Sequence, residues 1–291
     1  MRRLIGALAW SSDAADTAKG IYNFCQTIFN LPCSLVTPIT ISIIPTVTAA
    51  LTVKNLSGAR HTEESAVRTM ALITMPCAVG LAVLAEPIIR LLASNYGAES
   101  LATATPILMY LGIAVIFNST VLLFNAIMQA HGDVTTPVVN MLIGGIVKVI
   151  VNYILVGIPA LNIVGAAIGT VICYLTITIL DLIAMRKTVT TRPLIFRNII
   201  RPGLAALLMG AATVLSYRVL ARLVSSNTVA CLGALVIAVI ALVVALVGAL
   251  VGKKQGAWKV WGAVVAIAGL VCAVALRVMM YTMGETLFML Y

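Results

Sequence analysis

Long apolar runs separated by short polar or basic connectors organise this chain, and the runs give the first prediction. A helix crossing the ~30 Å hydrocarbon core of a bilayer needs about 20 apolar residues. Eight stretches read as such spans: 20–53, 66–94, 100–130, 134–157, 162–185, 198–217, 228–252 and 258–282. The connectors include Lys54 to Ser65, His131 to Asp133 and Arg186 to Arg201. The first stretch is too long for one straight crossing and holds Pro32, Pro38 and Pro45. Each proline removes a backbone donor and tends to kink a helix. In lipid such breaks are tolerated where neighbouring helices or a watery cavity satisfy the freed groups.

Polar residues recur at helical spacing inside these runs. Asn23, Thr27, Asn30, Ser34 and Thr37 share one face of the first span, because steps of three and four residues return to the same side of a helix. Asn118, Asn125 and Gln129 do so in the third span. Asn140, Gly144, Lys148 and Asn152 form an i, i+4 row in the fourth, and Thr170, Tyr174, Thr178 and Asp181 a similar row in the fifth. Two readings compete. The stripes could be hydrogen-bonding seams between helices, each contact worth about 0.6 kcal/mol. Alternatively, they line a hydrated cavity that admits a polar head group. Lys148 bears on the choice, because a lysine deep in a span costs roughly 2.5–3.5 kcal/mol on insertion scales. It sits about 14 residues from the nearest cytoplasmic connector, too deep on that side to snorkel cheaply. A cavity-facing lysine that touches an anionic substrate fits this position, as does one that snorkels outward or bonds to carbonyls.

Composition agrees with a membrane fold. The 291 residues are 62% hydrophobic and 10% charged, with mean hydropathy +1.11, whereas soluble domains carry roughly 25% charge. The net charge of +10 would suggest nucleic acid in a soluble protein. Here the bases sit between apolar runs, so they report topology. With the first span running outside to inside, Lys54, Arg60, Arg68, Arg186, Lys187, Arg192, Arg197, Arg201, Lys253, Lys254 and Lys259 fall on the cytoplasmic side. Arg2, Arg3, Lys19, Arg90, Arg218, Arg222 and Arg277 fall opposite. The excess favours an external N-terminus. Arg2 and Arg3 would themselves stay inside, which is resolved if residues 1–19 are the remnant of a preceding helix and its external loop in a truncated chain. A signal peptide is the competing account, but the apolar stretch Leu4 to Trp10 is short and no prompt small-residue cleavage site follows.

The remaining polar chemistry is sparse. Glu86 and Arg90 are spaced for a helical ion pair at the outer end of the second span. Asp181 lies near the cytoplasmic end of the fifth, close to Arg186, and reads as an interface marker. No carboxylate falls clearly at a span centre, which weakens coupling schemes that need a buried acid. The six cysteines, at 25, 33, 77, 173, 231 and 272, are scattered singly in apolar runs and suit neither disulfides nor a metal site. His61 and His131 lie in expected loops, and His131-Gly132-Asp133 reads as a tight turn. Gly165 and Gly169 have the spacing that lets two helices approach closely. No nucleophile elbow, phosphate-cradling loop or paired-histidine motif is present, so neither an enzyme nor a cofactor is expected.

Residues 128–174 carry the most specific pattern. The run Met128-Gln129-Ala130-His131-Gly132-Asp133, then Pro137, Asn140, Gly144, Lys148 and Asn152, then Gly165 to Thr170 and Tyr174, resembles the multidrug/oligosaccharidyl-lipid/polysaccharide exporter superfamily. Within it the chain is similar to the polysaccharide biosynthesis proteins of the stage V sporulation protein B branch, cousins of the lipid II flippases. Ile43-Ile44-Pro45 and Met75-Pro76 with Gly80 match the same branch. The resemblance covers roughly residues 1–252 and implies about fourteen helices in two six-helix lobes around a central cavity. Residues 20–185 would be helices eight to twelve of the C-terminal lobe, and 186–252 would hold two accessory helices. Residues 253–291 add an apolar span outside the pattern. Asp133 departs from it too, standing where the branch often has a basic residue.

The expected fold is therefore an all-α, polytopic transmembrane helix bundle, the C-terminal lobe of a two-lobe transporter of the bacterial plasma membrane. The resemblance implies a flippase of undecaprenyl-pyrophosphate-linked oligosaccharide that works by alternating access, with roles in cell-wall or spore polysaccharide. Lys148 would help bind the pyrophosphate, and Asn152, Asn140, Asn118, Asn125, Gln129, Asn30 and Ser34 would line the head-group path. The implied partners are the lipid-linked substrate, membrane lipids, and a missing N-terminal lobe or second subunit. The alternatives are a multidrug extruder of the same superfamily, which needs a cation-coupling carboxylate, and a membrane enzyme or scaffold of polysaccharide synthesis.

Overall fold

The computed structural model describes residues 12–92, 97–159, 161–191 and 193–223. The opening Met1 to Ser11, the expected spans 228–252 and 258–282, Cys231 and Cys272 lie outside the described residues. Seven helices occur in order among the described residues: α1 (Ser12–Thr52), α2 (Leu56–Val83), α3 (Ala85–Leu92), α4 (Ala98–Ala130), α5 (Thr135–Leu155), α6 (Val164–Thr188) and α7 (Ile195–Leu223). No strand occurs among them, and α1, α2, α4, α5 and α6 are each long and apolar enough to cross a membrane. The protein is an all-α, multi-pass membrane bundle.

Two expected boundaries shift. Helix α1 starts at Ser12 rather than residue 20, with Asp13 in its first turn, where an acid complements the helix dipole. The proline-bearing stretch stays one element of 41 residues, roughly 60 Å at 1.5 Å per residue, so it overhangs the hydrocarbon. The connector expected from Lys54 to Ser65 is mostly helical as well. Lys54 takes a left-handed φ of 56°, and the Asn55 side chain accepts the Gly58 N–H at 2.9 Å, capping α2. The polar residues from Leu56 onward form an amphipathic extension of the span. At its far end α2 stops at Val83, and α3 follows with the expected Arg90–Glu86 ion pair at 2.7 Å.

The α4–α5 connection is the tight turn that His131-Gly132-Asp133 predicts. Gly132 has φ +88°, a conformation that glycine adopts without steric cost. The Asp133 N–H returns to the Met128 carbonyl at 3.0 Å, and Asp133 Oδ1 accepts the Thr136 N–H at 3.1 Å, starting α5.

Helix α4 is the axle of the bundle, packing on α1, α2, α3 and α6. One apolar cluster joins Ile21, Cys25 and Phe29 of α1 to Ile107, Leu108 and Leu111 of α4 and Ala166 and Ala167 of α6. A second, nearer the C-terminal ends of α1, α4 and α6, joins Val47, Val67, Met70, Leu123, Ile127 and Met185. Like halves of α4 and α6 therefore meet, and the two helices run parallel. Helix α5 packs along α6 and shows most of its surface outward, Val138, Leu142, Val149 and Ile154 among its exposed residues. The α5–α6 approach is close. A side chain at Gly144 would collide with Ile177, and one at Gly169 with Asn152.

Candidate functional site

The four polar stripes, alike in sequence spacing, meet different surroundings. On α6 the stripe is spent inside the bundle. Thr170 Oγ1 lies 3.1 Å from the Tyr22 hydroxyl of α1, and Tyr174 stacks on Phe29 with ring centroids 6.2 Å apart. Thr178 Oγ1 donates to the Tyr174 carbonyl at 2.8 Å and reaches the Phe117 carbonyl of α4 at 3.4 Å. Asp181 is not the interface marker expected. It is fully buried and accepts from Asn140 Nδ2 at 2.8 Å. The five-residue step to Arg186 turns that base to another side of the helix, and Arg186 is exposed.

The α1 stripe behaves in the opposite way. Ile21, Cys25, Ile28, Phe29, Cys33 and Val36 turn inward, while Asn23, Thr27, Asn30, Ser34 and Thr37 are all exposed. Thr27 and Ser34 return their hydroxyls to their own helix, to the Asn23 carbonyl at 3.1 Å and the Leu31 carbonyl at 2.7 Å. Serine and threonine can thus face a mixed environment without a partner helix. The Asn23 and Asn30 amides have no hydrogen bond to the described residues and remain available. Exposed Leu31 and Ile41 interleave with them, so this face offers polar and apolar contacts together.

The other predicted residues do not gather in one place. Lys148 is half-buried on the α5–α6 side, near enough to Cys173 for its charge to act on the thiol. No carboxylate lies within ion-pair distance of it among the described residues. Asn152 is half-buried beside Gly169, and its Oδ1 has no partner. Asn118 meets the Cys33 thiol of α1, Gln129 is exposed at the C-terminal end of α4, and Asn125 and Asn140 are buried.

Sequence reasoning missed one buried node. Glu63 of α2, fully buried, meets His131 Nε2 at 2.8 Å and accepts the Thr191 hydroxyl. His131 thus leaves the loop surface and ties α2, the α4–α5 turn and the α6–α7 link together. Next to it the Leu194 N–H donates to Glu64 at 3.0 Å, and Arg68 donates to Asn198 at 3.3 Å. Those partners lie 68 to 130 positions apart, beyond any local signal. No group of three or more His, Cys, Asp or Glu that could hold a metal occurs among the described residues.

The arrangement is a bundle with an exposed polar face on α1 and, among the described residues, a lysine with no carboxylate in ion-pair distance. Comparison with known proteins places it further. The profile of the family described as "Lipid II flippase MurJ" matches residues 7–236. The chain belongs to this family.

Among curated relatives, the lipid II flippase MurJ of Bacillus subtilis (strain 168) is 26% identical over 170 residues, 56% of this chain and 30% of that protein. An uncharacterized membrane protein of the same organism, YabM, is 25% identical over 207 residues, 71% of this chain and 37% of that one. The chain thus spans about a third of the length of the curated relatives it matches. A solved lipid II flippase MurJ in an inward closed conformation superposes with TM-score 0.64 at 16% identity, covering 79% of this chain and 46% of that chain. An inward-facing multidrug resistance MATE transporter of the MOP superfamily gives TM-score 0.50 at 14% identity, covering 93% and 70%. Membership in the MurJ family makes the chain an integral membrane protein of a flippase family, not of an enzyme family, and both solved neighbours share its transporter fold.

Proposed function

We propose that this chain is the C-terminal part of a flippase for an undecaprenyl-pyrophosphate-linked oligosaccharide, close to the stage V sporulation protein B branch of the MurJ family. Residues 20–185 form the lobe, 186–252 the accessory helices, and a missing N-terminal lobe or second subunit completes the cavity. The observation that carries this reading is the open polar face of α1, whose amides find no partner among the described residues, while the equivalent stripe of α6 turns into the bundle, where Tyr22 and Asn140 bond to it. Asn30 and Ser34, with Asn23 and Thr27 on the same face, present hydrogen-bonding groups to the sugars. The exposed apolar residues between them accompany the lipid tail.

Lys148 has a separate job. An uncompensated lysine within a span is costly, and a pyrophosphate is the ligand class that repays the cost, because charge-assisted contacts to phosphate are the stronger kind of hydrogen bond. Asn152, one turn away, supplies a further acceptor and donor. One lobe rocking against another would carry the head group across while the tail stays in lipid, and no covalent bond changes.

The multidrug reading gains one specific support from the structure. It needs a buried carboxylate, and Asp181 is one. Ion-dependent efflux of cationic dyes by the chain would favour it.

The test is binding of undecaprenyl pyrophosphate, against undecaprenol, to the purified chain in nanodiscs. The reading expects the pyrophosphate to bind and Lys148→Ala to weaken it about tenfold or more, as losing a hydrogen bond to a charged group does. Equal binding of the two lipids, or no effect of Lys148→Ala, would remove the lysine from the mechanism.

A further inference from the structure

Glu63 is a carboxylate that neither the polar face of α1 nor Lys148 uses. Its side chain is 0% exposed, and the His131 side chain against it is 4% exposed. Both carboxylate oxygens are matched: Oε1 lies 2.8 Å from His131 Nε2, and Oε2 accepts the Thr191 hydroxyl. Thr191 Oγ1 also stands 3.5 Å from the same imidazole nitrogen. The three side chains form one closed cluster drawn from α2, the α4–α5 turn and the α6–α7 link.

The cluster is placed to hold the start of α7. Helix α7 packs along α2, and the link that leads into it is fastened to α2 within about one and a half turns. Glu63 accepts from Thr191, Glu64 accepts the Leu194 N–H at 3.0 Å, and Arg68 donates to Asn198 at 3.3 Å. Arg68 is exposed and Glu64 half-buried, so water competes for both of those contacts. The Glu63 contact is sealed from it.

A buried ion pair adds little net stability over apolar packing of similar volume, whereas stranding one partner is costly. That asymmetry makes a switch. Histidine is the side chain that ordinarily changes charge near neutral pH. With one proton between them, Glu63 and His131 are neutral as a pair and the cluster is closed. When the imidazole gives up its proton as pH rises, the carboxylate keeps a buried charge without a counter-charge. When the carboxylate takes up a proton as pH falls, the imidazolium is stranded instead.

No neighbouring charge replaces the lost partner. On α2, Arg60 is paired with Glu64 at 2.9 Å, Arg68 reaches Asn198, and His61 is exposed. At the turn, Asp133 Oδ1 starts α5 and its Oδ2 is buried without a partner. Lys54 after α1, Arg186 and Lys187 of α6 and Arg197 of α7 are exposed, and Arg192 lies outside the described residues. Among the described residues, Glu63 and His131 form an ion pair only with each other. We propose that Glu63, His131 and Thr191 are a proton-operated latch. It is closed while the pair holds one proton, and gain or loss of a proton releases the α6–α7 link and the start of α7 from α2.

The latch needs no transport substrate, so it is tested apart from the flippase reading. Hydrogen exchange of the purified full chain in nanodiscs, corrected for the intrinsic pH dependence of exchange, would be followed from acidic to alkaline pH. The hydrogen-bonded amides of Val189, Leu194 and Ile195 should be most protected near neutral pH and lose about tenfold or more on either side. The amides from Ile107 to Leu111 of α4 should keep their protection throughout. Replacing the pair by Glu63→Gln with His131→Gln leaves two uncharged amides, and the pH dependence of the link should vanish. Thr191→Val unties the link without touching the pair, and should give at every pH the low protection that the wild type shows only at the extremes. Link protection that is flat with pH in the wild type, or a double variant that keeps the wild-type profile, would overturn the latch. So would wild-type protection in Thr191→Val, or an equal loss in α4, which marks global unfolding rather than release.

Discussion

Asn140 of α5 donates a 2.8 Å hydrogen bond to Asp181 of α6, and both side chains are buried. This pair turns a row that could have lined a cavity into a seam between two helices. Asn140→Leu removes the donor and leaves the carboxylate oxygen bare. The expected cost is about 1.5–3 kcal/mol, the range for a lost hydrogen bond to a charged group. Unfolding of the purified chain in denaturant, wild type against variant, measures it.

The same seam depends on glycine. Gly144→Val and Gly169→Leu each insert atoms where Ile177 and Asn152 already sit, and overpacking of this kind costs about 1–3 kcal/mol. Gly145→Ala is the control, since nothing lies within 4 Å of a side chain there. Alanine is also the better helix former by about 0.5–1 kcal/mol. Thermal unfolding should therefore separate the two glycines in the α5–α6 seam from Gly145, which lies outside it.

How much of this was legible in the sequence depends on the reach of each signal. Five of the eight expected spans were, because a run of about 20 apolar residues has few other uses. The α4–α5 turn was too, since Gly132 must take a positive φ. The start of α2 was not: an amphipathic extension beyond the membrane reads as a polar connector until its Asn55 cap is seen. The stripes of α1 and α6 have the same three- and four-residue spacing, and what separates them is the neighbouring helix, which spacing does not encode. Glu63 looked like a loop carboxylate because its partners, His131 and Thr191, are remote in the chain.

That buried node contrasts with the surface pair in a measurable way. His131→Ala leaves Glu63 buried with Thr191 as its remaining partner, and breaking a buried pair typically costs about 3–5 kcal/mol. Glu86→Ala breaks an ion pair whose side chains are 50% and 52% exposed, where the expected loss is about 0–1 kcal/mol. Hydrogen exchange should show the same order, with His131→Ala loosening the N-terminal end of α2 and the α6–α7 link together.

Substitutions on the open face of α1 should behave differently from both. Asn30→Leu and Ser34→Ala remove groups that no other described helix uses, so stability should change by no more than about 0.5 kcal/mol. Binding of a lipid-linked oligosaccharide should nevertheless fall severalfold. A variant that unfolds instead would show that the face is a packing surface.

The central claim is that the exposed polar face of α1 meets the head group, and site-specific photocrosslinking tests it most directly. A photoreactive residue would replace Asn30 in one sample and Val149, on the outward face of α5, in another. Each chain would be illuminated with a lipid-linked oligosaccharide in vesicles of ordinary phospholipid. The account predicts capture of the oligosaccharide lipid at position 30 and of bulk phospholipid at position 149. Equal capture of bulk lipid at both positions, with no enrichment of the oligosaccharide lipid at 30, would contradict it.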